Sequence, residues 1–249
     1  MLDAWIYALV SVLIVSLISF VGILTFSIKV NKLKNILLYM VSFSAGALFG
    51  DAFIHLLPEV IEEAGFGLEI SFYLMFGIAF SFIIEKFIHW RHCHIPNSEE
   101  HVHPFAMMNL FGDAVHNFSD GIIIGASYLV SIPVGIATTL AVILHEIPSE
   151  IGDFGVLLHG GFSKGKALFF NFITALTAIF GAVVSLLVSL YVENITAFLI
   201  PFAAGTFIYI AGSDLIPELH KEVEVKKSLL QFIAIVLGVV VMIALLMLG

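Results

Sequence analysis

Apolar residues in this chain come in long blocks separated by short polar punctuation. Eight blocks stand out, at 5–28, 35–58, 68–89, 105–128, 134–158, 165–191, 197–219 and 228–248. A helix crosses the hydrocarbon core of a bilayer with about 20 mostly apolar residues. Outer-membrane strands would instead show alternating segments of about ten, and no such alternation occurs. The pattern predicts an all-α integral membrane protein of eight transmembrane helices, forming one membrane domain over 1–249. The first block has no basic stretch before it and no small-residue cleavage site after it, so it reads as a retained span and not a signal peptide.

Composition agrees with this reading. Hydrophobic residues make up 60% of the 249 and charged residues 12%, against roughly 25% charged in an ordinary soluble domain. A soluble enzyme, a disordered chain and a fibrous protein are excluded. The net charge of −9 and the lack of a basic stripe argue against a nucleic-acid partner. One cysteine, Cys93, allows neither an internal disulfide nor a cysteine-built zinc finger.

Charge also orients the helices. Lys29, Lys32 and Lys34 follow the first block, Lys86 and Arg91 the third, Lys164 and Lys166 the fifth, and Lys221, Lys226 and Lys227 the seventh. These are all ten basic residues of the chain, and they fall on one side. The opposite loops carry Glu59, Glu62, Glu63, Glu69 and Glu193. The positive-inside rule makes the basic side cytoplasmic, so both termini are expected outside, in a cell-membrane protein. The second block ends Leu56-Leu57-Pro58-Glu59 and the seventh Leu215-Ile216-Pro217-Glu218, with Gly50-Asp51 and Gly212 and Asp214 shortly before. Similar strings in spans of opposite direction are the expectation for inverted repeats, which place a substrate site between them near the midplane.

The fourth and fifth blocks are chemically unlike the rest. The fourth contains Asp113, His116, Asn117 and Asp120; the fifth contains His145, Glu146, Pro148, Ser149, Glu150 and Asp153. Each lipid-facing charge would cost about 2.5–3.5 kcal/mol at the bilayer centre. Hydrogen-bonded helix packing accounts for one or two such groups, but not for two histidines, an asparagine and five carboxylates within 41 residues. These side chains are expected to line a wet cavity or to hold a cation. His116 and Asp120 share a stripe at i, i+4, as do His145 and Ser149, and Glu146 and Glu150. Imidazole with carboxylate suits borderline metals such as zinc and iron, whereas calcium or magnesium would call for oxygen alone. Pro148 removes one helical hydrogen bond and frees the carbonyl of Leu144 beside the His145-Glu146 pair.

His116-Asn117-Phe118-Ser119-Asp120-Gly121 resembles the HNFxDG motif of the ZIP metal transporters, and His145-Glu146-Ile147-Pro148-Ser149-Glu150-Ile151-Gly152-Asp153-Phe154 resembles their HExPxExGDF motif. The likeness covers the whole chain in span number and order. It implies transport of a divalent cation toward the cytoplasm, zinc first and Fe2+, Mn2+ or Cd2+ as alternatives, with no resident cofactor. It also implies a binuclear midplane site. One centre would use His116, Asp120, His145 and Ser149; the other would use Asn117, Asp120, Glu146 and Asn171, with Asp120 shared. Many family members carry histidine where this chain has Ser149, so Glu150 or water is a candidate substitute. Asp51, His55, Asp113, Asp153 and Asp214 are candidate pathway residues. The loop 90–104 and its edge hold His89, His92, His94, His101 and His103, a tract suited to transient metal capture on the exit side. Similar transporters often dimerise.

Two other functions fit parts of the pattern. His145-Glu146-Ile147-Pro148-Ser149 looks like the HExxH of an intramembrane metalloprotease, but Ser149 stands where the second histidine ligand is needed. A metal channel or a proton-coupled exporter would need the same site.

Overall fold

The computed structural model describes residues 2–27, 30–65, 67–92, 104–192 and 194–248. Among these the regular structure is helical throughout. The helices are α1 (Leu2–Ile18, running on as a 3-10 stretch Ser19–Ser27), α2 (Val30–Gly50), α3 (Leu57–Ala64), α4 (Leu68–His92), α5 (Pro104–Val130) and α6 (Ile132–His159). They continue as α7 (Lys164–Ala175), α8 (Thr177–Val188), α9 (Thr196–Tyr209), α10 (Ile216–Leu219) and α11 (Val225–Leu245).

Among the described residues, seven helical stretches are long and apolar enough to cross a membrane: Leu2–Ile23, Ile36–Glu62, Leu68–Lys86, Ile132–Leu158, Lys164–Val188, Thr196–Leu219 and Val225–Leu245. The expectation was eight. α5 is the difference, because its polar residues lower its hydropathy. Packing supplies what composition withholds: α5 lies against α1, α4, α6, α7, α8 and α9. A helix surrounded by other helices can carry polar side chains that a lipid-facing one cannot.

Two groups of helices pack tightly. In one, α2 pairs with α11 and α4 with α9; in the other, α5 pairs with α8 and α6, and α1 packs on all three. Glycines allow the closest crossings. A Cβ on Gly46 would stand 2.0 Å from the Ile235 carbonyl oxygen, and one on Gly238 would stand 2.2 Å from that of Phe43. The α4–α9 crossing repeats this through Gly77 and Gly205, and the α5–α8 crossing through Gly121 and Gly181. Without a hydrophobic force between helices in lipid, such backbone approaches supply much of the association.

The second and seventh rods share an unusual feature. Between α2 and α3 the chain widens into a π-helical turn, Asp51–Leu56, where the Leu57 N–H reaches the Ala52 carbonyl. Between α9 and α10 it does so again at Ile210–Leu215, where the Ile216 N–H reaches Ala211. Each π turn leads into a proline, Pro58 or Pro217. Proline has no N–H and crowds the preceding turn, and a wider turn relieves both effects.

Candidate metal centre

α5 and α6 cross so that their polar stripes face each other. His116 and Asp120 come from α5, His145 and Glu146 from α6, and one ligand atom from each lies within 4.8 Å of all the others. The separations are 3.1 Å between the two Nε2 atoms, 3.1 Å from His116 Nε2 to Glu146 Oε1 and 3.2 Å from His145 Nε2 to Asp120 Oδ2. His145 Nε2 to Glu146 Oε1 is 3.5 Å, and His116 Nε2 to Asp120 Oδ2 is 3.8 Å. Zinc bonds of about 2.0–2.2 Å at tetrahedral angles separate neighbouring ligand atoms by roughly 3.3–3.6 Å. These five separations therefore lie close to the edge lengths of a zinc tetrahedron.

The donor chemistry points the same way. His145 Nδ1 is 3.2 Å from the Ala141 carbonyl, which can only accept, so Nδ1–H donates. In the neutral ring Nε2 then carries a lone pair, directed at Asp120, Glu146 and the other imidazole. An oriented imidazole of this kind is the usual arrangement for a metal-ligating histidine. Lone pairs so close repel unless a cation joins them. Asp120, Glu146 and His145 are almost wholly buried, while His116 retains 29% side-chain exposure. His116 is the edge of the centre that water can reach.

Pro148 has its expected effect. The freed Leu144 carbonyl accepts the Ser44 hydroxyl of α2, which ties the helix carrying His145 to the other group of helices. Ser149 lines the same cavity as His116 and His145.

A second group lies beside the first. Asp113, Glu146 and Glu150 each place a carboxylate oxygen within 4.8 Å of the others, and Glu146 belongs to both groups. Asn117 Nδ2 donates to Asp113 Oδ1 at 2.8 Å, and Asn171 Nδ2 to Glu150 Oε2 at 2.8 Å. The Thr174 hydroxyl donates to Asp113 Oδ2. The two asparagines expected around Asp120 thus bond to Asp113 and Glu150.

A cavity of about 500 Å³ runs from His116 and His145 past Asp113 and Asp153 to Glu85, Asp214 and Glu218. The last three sit at the end of the bundle bearing Lys86 and Lys221. Asp153 is held by Asn109 at 2.8 Å, and the Tyr209 hydroxyl donates to Glu85. Asp51 is fully buried on the first π turn, away from this lining, and His55 Nε2–H donates to the Met242 carbonyl of α11 at 2.9 Å. His89 and His92 fall on the last turns of α4; His94, His101 and His103 lie outside the described residues. Asn109, Thr174, Glu85 and Tyr209 were not anticipated. Asn109 could have been found from sequence, since it lies one turn before Asp113 on the same stripe.

A family model described as ZIP Zinc transporter matches residues 2–106 and 98–246. The zinc transporter zipt-7.1 of Caenorhabditis briggsae is 32% identical over 307 aligned positions, covering 96% of this chain and 78% of that protein. The zinc transporter ZIP13 of Pongo abelii is 32% identical over 257 positions, covering 97% of this chain and 78% of its own length. The zinc transporter ZIP10 of Danio rerio is 40% identical over 140 positions, but these cover 53% of this chain and 16% of that protein.

Proposed function

The chain belongs to the ZIP zinc transporter family, and from that premise we propose that it carries zinc across a bilayer through the centre of His116, Asp120, His145 and Glu146. It is an integral membrane protein and not an enzyme. The observation that carries the proposal is the near-tetrahedral set of ligand atoms. Fe2+, Mn2+ and Cd2+ are the alternative cargoes, since a site of two nitrogens and two oxygens accepts each of them.

Transport runs toward the cytoplasm, from outside the cell. Support comes from the cavity, which leads from the His pair to the lysine-bearing end of the bundle, the cytoplasmic end by the positive-inside rule. Eight spans follow once α5 is counted as the polar central helix, and both termini are then outside. Inverted repeats are supported by the two π turns, which lie 159 residues apart, as do Gly46 and Gly205. The paired glycine crossings, α2 with α11 and α9 with α4, repeat the relation. Alternating access is the rocking of the α1/α5/α6/α8 group against the α2/α4/α9/α11 group.

A two-ion occupancy is the finer part of the proposal. The resemblance gives the bridging role to Asp120; the geometry supports Glu146, the residue common to both groups. Ser149, on the cavity wall, joins the first centre directly or through water. The histidines at 89, 92, 94, 101 and 103 take up the ion on its exit, with Asp214 and Asp153 along the way. The family resemblance is what supports a homodimer as the working unit. Uptake into proteoliposomes with zinc, iron and manganese in competition tests the function. Saturable zinc entry that is lost in His145→Ala is expected. Zinc entry no faster than into empty liposomes would overturn the reading.

A further inference from the structure

A hydroxyl group inside a helix ordinarily bonds a carbonyl one turn back or on a neighbouring helix. Thr139 donates to the Gly135 carbonyl at 2.7 Å, and Thr177 to that of Ala114 on α5 at 2.7 Å. On the cavity wall Ser119 donates to Val115 at 2.9 Å, and Tyr209 to Glu85. Thr206 of α9, also on that wall, behaves differently. It is 5% exposed, and its Oγ1 has no hydrogen-bond partner among the described residues. The carbonyl one turn back, that of Phe202, packs against Gly77 of α4. A buried polar atom in this condition is rare and calls for an explanation.

Position supplies one. The next residue, Phe207, sets its ring edge-on to the imidazole of His145, with centroids 6.2 Å apart. Thr206 therefore stands at the histidine end of the cavity-lining stripe that continues through Ile210 and Asp214 to Glu218. Oxygens of Asp120 and Glu146 are left without a hydrogen-bond partner in the same way, and these are ligand atoms of the centre. They come from α5 and α6, whereas Thr206 belongs to the opposite group of helices. It adds a neutral oxygen from the other side of the cavity.

Coordination number gives that oxygen a use. The four ligands His116, Asp120, His145 and Glu146 complete a tetrahedral zinc site. Mn2+ favours an octahedral, oxygen-rich shell, so at the same four ligands it keeps water on its remaining positions. Those positions open towards the cavity, on the side where His116 is exposed; Asp120, Glu146 and His145 are buried. We propose that Thr206 is a specificity-determining residue of the transport route. Its hydroxyl accepts a hydrogen bond from water held by a six-coordinate ion, and so admits Mn2+ beside Zn2+. The inference rests on the zinc reading of the histidine centre and deepens it by naming the group that widens the range of cargo.

The test uses the full chain in proteoliposomes, with Zn2+ and Mn2+ uptake measured separately as maximal rate over KM. Thr206→Val keeps the outline of the side chain and removes the hydroxyl, whereas Thr206→Ser keeps the hydroxyl. Thr206→Val should lower Mn2+ uptake by at least about tenfold, the loss usual for an outer-shell partner of a metal, and zinc uptake by less than about threefold. Thr206→Ser should behave as the parent does. The assignment is overturned if the Mn2+-to-Zn2+ ratio stays constant in Thr206→Val, whether neither metal changes or both fall together as a packing defect would make them. It is also overturned if Thr206→Ser loses Mn2+ as fully as Thr206→Val, or if the parent carries zinc but no Mn2+. Failure of the zinc reading looks different. A parent that carries Mn2+ and no zinc would overturn that reading, while the comparison of Thr206→Val with Thr206→Ser in Mn2+ would still decide the role of the hydroxyl. A parent that carries neither metal overturns both.

Discussion

At the scale of single residues, the centre depends on orientation as much as on identity. His145 is fixed by its Nδ1–H bond to Ala141, and Asp120 lies 3.2 Å from its free nitrogen. Asp120 also faces His116, so it approaches both imidazoles, as Glu146 does. Asp120→Ala is expected to lower zinc uptake by more than the roughly 10–100-fold that follows loss of an outer-shell partner. Uptake assays normalised to inserted protein measure this, and near-normal flux would count against the centre. Ser149 gives a test of selectivity. It stands one turn after His145 on the cavity wall, and Ser149→His would add a nitrogen ligand there. Nitrogen favours zinc over manganese, so the apparent KM for zinc should fall and its maximal rate should drop, because a tightly held ion leaves slowly. Manganese kinetics should change much less. Identical curves for both metals in mutant and parent would place Ser149 away from the ion.

At the scale of helices, close backbone crossings divide the bundle into two groups. The Gly46 position faces the Ile235 carbonyl so directly that even one methyl group cannot fit without moving α2 or α11. Gly46→Ala should destabilise the protein by about 1–3 kcal/mol, the usual cost of overpacking. A matched control is Gly152→Ala, where a Cβ would meet nothing within 4 Å. Thermal unfolding in detergent should show a lower midpoint for the first variant and little change for the second. Equal midpoints would mean that the α2–α11 contact yields to a methyl group at little cost. Pro148 links the groups, since the carbonyl it frees on α6 is taken by Ser44 on α2.

At the scale of the whole molecule, the cavity connects the histidine centre to one end of the bundle. Ser81 lies on its wall, between the centre and Glu85. In a Cys93→Ser background, Ser81→Cys is expected to react with a membrane-impermeant thiol reagent applied from the lysine-bearing face. The reaction should block zinc uptake, because the adduct fills the route. Reaction only from the opposite face would reverse the proposed orientation of the cavity.

The amino-acid sequence by itself determined that the chain is a helical membrane protein, which side of each helix is polar, and where side chains able to ligate a metal fall along it. Those properties are local. Hydrophobic run length sets a span, 3.6-residue periodicity sets a face, and His116, Asp120, His145 and Glu146 are near neighbours along two helices. The freed Leu144 carbonyl was equally legible, since it follows from Pro148 alone; that Ser44 would fill it was not. Tertiary structure decided what depends on how helices cross. It turned Asn117 to Asp113 and Asn171 to Glu150, made Glu146 common to two groups, and placed Glu85 and Tyr209 at the cavity mouth. It also explained why α5 can be too polar to qualify as a span by composition, for it is enclosed by six other helices. Periodicity gives the direction of a side chain from its own axis, but the partner it meets depends on crossing angle and rotation.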